Sequence, residues 1–238
     1  MDNNYRPCIN NPLYIYRQSI SKESEFFKYN ISYPVLIPFA TYFNTSFYNI
    51  EIINRINKTI YNDIMKYKNE IKRQSKEYEK EYINVLSKSK EEYIKYQYEL
   101  IVDYKVTYNK NHTISIPIQK YEFTGGAHGM TYLDSYNYNL RDGKRLKLSD
   151  MFKKGIDYKK IVDTFIKENI NKNKELYFQD EGKFTGISDN QQFYIENDGL
   201  VVYFSLYEIA PYYVGIPKFK LTFDEFGKYF NDKHICKS

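Results

Sequence analysis

Isoleucines 52, 56, 60 and 64, followed by Tyr67 and Ile71, recur every three or four residues with lysine, asparagine and glutamate between them, and that period predicts an amphipathic helix. The preceding NTSFYN offers capping side chains. The stripe continues more weakly through Tyr78, Tyr82 and Leu86, so the helix either runs on or breaks near Gln74 and Ser75. Its apolar spacing drifts at 3.6 and lacks leucine heptads, which points to one face packed on a sheet and not to a coiled coil.

Strand patterns surround it. Phe26 to Ile37 reads as extended, with Pro34 calling for an edge or a bulge. Alternation from Tyr98 to Tyr108, the turn NKNH, and Ile114, Ile116 and Ile118 alternating with Ser115, Pro117 and Gln119 read as a hairpin whose Pro117 needs an edge or bulge. Met130 to Leu140 is extended and turns back through Asp142-Gly143, a strong hairpin signal. Ser149 is placed to cap a short turn. Tyr158 to Asn171 predicts a second amphipathic helix with Ile161, Val162, Phe165 and Ile166 inward. A last hairpin turns at Asn197-Asp198-Gly199, and Thr222 with Glu225 fits a capping box opening a short helix. Strands cluster with hairpin turns, so the predicted class is α+β: an antiparallel sheet with helices packed mainly on one side. Residues 1–22 read as a tail or a strand laid onto the body. Residues 23–118 read as a strand-helix-strand module, and 119–231 as a C-terminal α+β domain sharing a core with it.

Composition narrows the function classes. The chain of 238 residues carries a net charge of +5, with lysines interleaved among glutamates as in KEYEKEYINVLSKSKEEY. That is a solvated face and not a nucleic-acid stripe, so no nucleic-acid partner is expected. No apolar run approaches the roughly 20 residues that cross a bilayer, so no membrane span is expected. The N-terminus as written has an acidic start and no apolar core of a signal peptide. Cys8 and Cys236 lie near opposite ends and pair only if the termini meet; unpaired thiols are the favoured expectation. Twenty-eight tyrosines without a tryptophan accompany many Asn, Ile and Lys, all with AT-rich codons, so coding bias explains most of them. Exposed rings among them could still stack on sugars or bases.

Two stretches stand apart. YEFTGGAHGMTY holds Thr124, Gly125, Gly126, His128 and Gly129. It has neither the lysine-serine ending of a phosphate loop nor a strand-then-helix context. The glycines therefore read as permitting a bulge or tight crossing, with His128 bonded to a backbone carbonyl or a carboxylate. The second, SLYEIAPYYVGIPKF, sets Glu208 between aromatics and follows it with Pro211 and Gly215 where a strand should have ended. Glu208 could be a general acid if buried, but an acid without a partner acid lacks hydrolase geometry, so a carboxylate held by loop amides or by His128 is favoured. No HxxxH, CxxC or GxSxG occurs, so neither a metal nor any other cofactor is expected.

Together, YEFTGGAHGMTYLDSYNYNLRDGKRLKLSDMF and FYIENDGLVVYFSLYEIAPYYVGIPKFKL resemble the domain of unknown function that forms the C-terminal half of lysozyme-sensing anti-sigma ectodomains and accompanies some peptidoglycan deacetylases. The matching positions are Thr124 to Gly129, Asn139-Leu140, Asp142-Gly143, Leu148 to Phe152 and Tyr207 to Pro211, and the preceding strand and helix resemble its usual N-terminal partner module. The resemblance implies an extracytoplasmic, non-catalytic α+β domain that binds a protein or a wall component. Within the residues given, no membrane helix, sigma-binding segment or metal-binding deacetylase domain of the family's known members is expected, so those activities do not carry over. A cationic lysozyme would need a local acidic patch on a chain of this charge. The expected binding residues are His128, Tyr207, Glu208, Tyr212 and Tyr213, with Thr124, Gly125, Gly126, Gly129, Pro211 and Gly215 shaping the loops. The alternatives are a wall hydrolase using Glu208 with His128, and a structural component of a spore or envelope layer.

Overall fold

In the computed structural model of the chain, described for residues 13–37, 48–88 and 94–236, the isoleucine stripe and the strands around it form one unit. Strands β2 (Phe27–Ile37) and β3 (Tyr98–Tyr104) pair in parallel. Parallel neighbours cannot be joined by a tight turn, and helix α1 (Ile50–Lys88) supplies the crossover. It runs unbroken through Gln74 and Ser75. Ile53, Ile56, Ile60, Ile64 and Ile71 are buried against the sheet, each worth about 1.5–3 kcal/mol of transfer free energy. Ser75 is buried too, its Oγ donating to Phe26 O at 2.8 Å, so the small residue marks a close approach and not a break. Asn49 Oδ1 caps the helix by accepting from Glu51 N at 2.8 Å, while Asn44 to Phe47 lie outside the described residues.

The rest of this sheet is antiparallel. Residues 14–23, of which all but the last were expected as tail or added strand, form β1 (Tyr14–Glu23) along the outer edge of β2. Pro34 stands in the half of β2 beyond its pairing with β3, which spans only Phe27 to Ile31. There the side-chain amide of Asn57 replaces a strand: Leu36 N donates to its Oδ1 at 2.8 Å and its Nδ2 donates to Leu36 O at 2.9 Å. On the other side of β3 follow β5 (Thr113–Phe123) and β6 (Met130–Asn139). The single strand expected to Tyr108 is interrupted after Tyr104 and resumes as β4 (Tyr108–Lys110). Residues 105–107 face only residues 116 and 117 between the pairs Tyr104–Ile118 and Tyr108–Ser115, a bulge opposite Pro117. Asn111 and His112, at φ 50° and 55°, turn β4 into β5 as a two-residue hairpin requires.

A second, three-stranded sheet holds β7 (Phe193–Glu196), β8 (Gly199–Tyr203) and β9 (Lys218–Thr222) in that order. Its core includes Val162 and Ile166 of helix α2 (Tyr158–Lys172) and Phe223 and Phe226 of helix α3 (Phe223–Phe226). Thr222 Oγ1 caps α3 by accepting from Glu225 N, whereas the turn at 148–151 is capped by Asp150, whose carboxylate accepts from Lys147 N at 2.9 Å, and not by Ser149. The architecture is α+β with two mostly antiparallel sheets and one parallel pair.

The sheets meet through polar side chains. Ser115 and Asn137 are buried, and the outer edge of β7 is bonded to them: Ile195 N donates to Ser115 Oγ at 2.9 Å and Asn137 Nδ2 donates to Phe193 O at 2.7 Å. Ser115 Oγ in turn donates to Asn137 Oδ1 at 2.7 Å. Both faces of β5 are therefore covered at this position.

The C-terminal segment returns to the β4–β5 turn, where Cys236 N donates to the buried Tyr108 hydroxyl at 2.7 Å and Asn111 Nδ2 donates to Asp232 O at 3.2 Å. Cys236 is disulfide-bonded, against the expectation of a free thiol there; Cys8 lies outside the described residues. The Nδ1 atoms of His112 and His234 are both buried with no hydrogen-bond partner among the described residues. Burial lowers both pKa values. Arg141 lowers that of His112 further; at His234 Lys144 and Lys233 act the same way, against Asp150 and Asp142. An imidazole depressed in the native state takes its proton first in the unfolded chain, so its contribution is complete above the ordinary value near 6.5 and is lost as pH falls toward the folded value. Urea midpoints are therefore expected to fall between pH 7.5 and 5.5, and His234→Gln to flatten that fall.

Candidate functional site

The TGGAHG segment links β5 to β6 as a hairpin connection, with Glu122 opposite Met130 as the last pair and Thr124 opening the link. Gly125 and Gly126 take φ of 97° and 89°, a region costly to residues with a Cβ. Gly129 serves close approach instead: a Cβ there would lie 2.5 Å from Glu122 O and 2.5 Å from the Tyr121 ring. His128 is exposed, its Nδ1 3.2 Å from Gly129 O.

The second stretch, between β8 and β9, folds over this hairpin. Pro211 starts a 3-10 turn over Tyr212–Val214, and Gly215 at φ 76° ends it. The Tyr212 hydroxyl donates to Gly129 O at 2.9 Å. Its ring stacks on His128 with centroids 4.2 Å apart and on Tyr207 at 5.7 Å, at interplanar angles of 23° and 30°. Tyr207 is 47% exposed and Tyr213 72%, the latter donating its hydroxyl to Glu175 O at 3.3 Å. Two segments some eighty residues apart thus build one exposed aromatic cluster centred on Tyr212.

Tyr207 occupies φ 63°. With Glu208 N donating to Ser205 O at 3.2 Å, it is the third residue of a four-residue turn, where glycine is the usual occupant. A bulky residue in the left-handed region costs about 1–2 kcal/mol, and such strain concentrates at functional sites. Its contact with Tyr212 offsets only part of this, because the ring stays 47% exposed.

Glu208 stands apart from the cluster's chemistry. Its exposed carboxylate accepts from Ser205 N at 2.7 Å, and among the described residues no hydrogen bond or ion pair joins it to His128. The histidines do not assemble either: His112 and His128 flank opposite ends of β5, and His234 lies in the C-terminal segment. Among the described residues no group of three or more His, Cys, Asp or Glu could hold a metal ion, and no helix is long and apolar enough to cross a membrane. Clefts open elsewhere: one of ≈ 340 Å³ between the sheets, lined by Tyr104, Pro117 and Tyr194 among others, and one of ≈ 450 Å³ beside α1. Neither is legible in the sequence, because each is lined from segments distant along the chain.

Comparison with known proteins agrees with this architecture. Residues 20–131 match the family described as Deacetylase PdaC, and residues 149–224 match the protein family of unknown function DUF3298. A curated relative, the peptidoglycan-N-acetylmuramic acid deacetylase PdaC of Bacillus subtilis (strain 168), is 31% identical over 121 residues, 49% of this chain but only 26% of that protein. The chain thus matches about a quarter of that relative's length. Among solved structures, a DUF3298 family member from Bacteroides fragilis superposes with a TM-score of 0.70 at 18% identity, covering 94% of this chain and 96% of that one. A second, from Pseudomonas aeruginosa PAO1, gives 0.64 at 16% identity over 96% and 99%. The chain thus carries a PdaC-matched region followed by a DUF3298-matched region, on a fold that it shares along nearly its whole length with solved DUF3298 family members.

Proposed function

We propose that the chain is a non-catalytic recognition module of a bacterial cell envelope, which reads a wall component through the aromatic cluster of His128, Tyr207 and Tyr212 and the exposed ring of the adjacent Tyr213. The observation that carries this reading is Tyr207, held in a left-handed conformation with its ring 47% exposed and stacked on Tyr212. Near-parallel exposed rings offer the flat apolar faces on which sugar rings stack, while their hydroxyls and imidazole supply polar edges. The envelope setting is supported by the PdaC match, whose curated relative is by its name an enzyme of peptidoglycan. The disulfide-bonded Cys236 fits an oxidising, extracytoplasmic compartment. The hydrolase reading draws no support from the geometry, since Glu208 is engaged with a loop amide.

Substituting Tyr207 separates recognition from folding. Tyr207→Gly relieves about 1–2 kcal/mol of left-handed strain and loses about 0.5–1.5 kcal/mol of stacking on Tyr212, so it is expected to leave stability within about 1 kcal/mol while reducing retention on purified peptidoglycan sacculi. Thermal melts and co-sedimentation measure the two. Unchanged retention in Tyr207→Gly and in Tyr213→Ala would remove the cluster from the function.

A further inference from the structure

The α1-facing side of β5 and β6 changes character along its length. Ile114, Ile116, Ile118 and Tyr138 are core, but Lys120, Glu122 and Asp134 continue the same face beneath α1. Lys120 is only 12% exposed, with Nζ 2.6 Å from Asp134 Oδ2 and 4.1 Å from the centroid of the Tyr67 ring. The Tyr67 hydroxyl donates to Glu122 Oε2, and burial raises its pKa, so it stays a neutral donor. A second unit repeats this plan: the Arg145 guanidinium lies 4.8 Å over the Tyr136 ring, and the Tyr136 hydroxyl donates to Asp63 Oδ2 at 3.1 Å. Charges placed under a helix are costly unless they are paired. Here they line a cleft of ≈ 450 Å³, within the range of small-ligand sites of about 300–1,000 Å³.

We propose that this cleft is a saccharide-binding site, separate from the aromatic cluster. Its ionised lining is balanced: Asp63, Glu70 and Asp134 face Lys66, Lys120 and Arg145. An anion meets three carboxylates, a cation meets three bases, and an apolar ligand strands them all. A neutral ligand whose groups both donate and accept satisfies them, and adjacent sugar hydroxyls do this against neighbouring acceptor-only carboxylates and donor-only cations. A peptide is the other neutral polar ligand, and it would need the backbone edge of β6. That edge is taken: Arg145 donates to Ser135 O at 2.9 Å and Leu146 N donates to Asn137 O at 2.8 Å.

The test titrates the full chain with the tetrasaccharide of N-acetylglucosamine, and in parallel with tetra-alanine, following backbone amides by NMR at millimolar ligand. The expected result is saturable shifts at residues 63–67, 120 and 134–136 with the sugar alone. Asp63→Asn keeps an acceptor for Tyr136 on an exposed position and so preserves the fold. It is expected to weaken the sugar about tenfold by removing a charge-assisted bond. Tyr213→Ala is expected to leave this site unchanged. No saturable shift, shifts mapping elsewhere, equal response to tetra-alanine, or full affinity in Asp63→Asn would each overturn the proposal. Retention on sacculi through Tyr207 would stand in all four cases.

Discussion

Asn137→Ala is expected to lower the free energy of unfolding by about 2–4 kcal/mol, the largest effect of any single polar substitution foreseen in this chain, because it strands two buried groups at once. Asn137 is 3% exposed. Its Nδ2 serves Phe193 O on the otherwise open edge of β7, and its Oδ1 takes the proton of Ser115 Oγ, which itself accepts from Ile195 N. No solvent reaches these atoms to replace a lost partner. Ser115→Ala breaks the same relay from its other end, leaving Ile195 N unpaired. The two substitutions should therefore be strongly non-additive, with a coupling of roughly 1–3 kcal/mol in a double-mutant cycle followed by urea unfolding. Additive costs would mean that the sheets are held by apolar packing and that the relay is incidental.

Gly129→Ala is expected to cost about 1–3 kcal/mol through overpacking and to disable the recognition surface as well. The added Cβ would sit 2.5 Å from Glu122 O, a backbone atom fixed in β5, and 2.5 Å from the Tyr121 ring. Only the hairpin connection is able to yield. Displacing it moves Gly129 O, the acceptor of the Tyr212 hydroxyl, and with it the stacking of Tyr212 on His128. Gly126 provides the contrast: a Cβ there meets nothing within 4 Å, so Gly126→Ala should cost only the strain of its φ of 89°, about 1–2 kcal/mol, and spare the cluster. Near-UV circular dichroism of the tyrosines, with sacculus binding, would separate the two variants. Equal loss of binding in both would show that loop flexibility, and not the Gly129 contact, holds the site.

How much of this was legible depends on how local each determinant is. The stripe from Ile52 to Ile71, the turns at Asn111-His112 and Asp142-Gly143, and the cap at Thr222 depend on residues within a few positions of one another, and the structure contains them, with Ile53 instead of Ile52 as the fully buried residue at the start of the stripe. Pro34 and Pro117 were rightly read as demanding a missing or bulged partner, since a residue without an amide hydrogen constrains its own neighbourhood. Of the two partners expected for Glu208, a loop amide or His128, the structure contains the first, Ser205 N. Which residues bulge opposite Pro117, the parallel pairing of β2 with β3 and the disulfide-bonded state of Cys236 escaped, because each depends on what lies across from a segment.

The sequence by itself determined the helices, the strands and their turns, because backbone preference and the burial period of one face are written within each segment. It also marked both loops as unusual, through glycines and a proline where strands should continue. Only the tertiary structure decided that His128 and Tyr212 stack, that Ser115 and Asn137 face a second sheet instead of water, and that Lys120 and Asp134 lie beneath a helix. Alternation reports that a strand has two unlike faces, but what covers the polar one is a contact between distant segments, and no local pattern of residues encodes it.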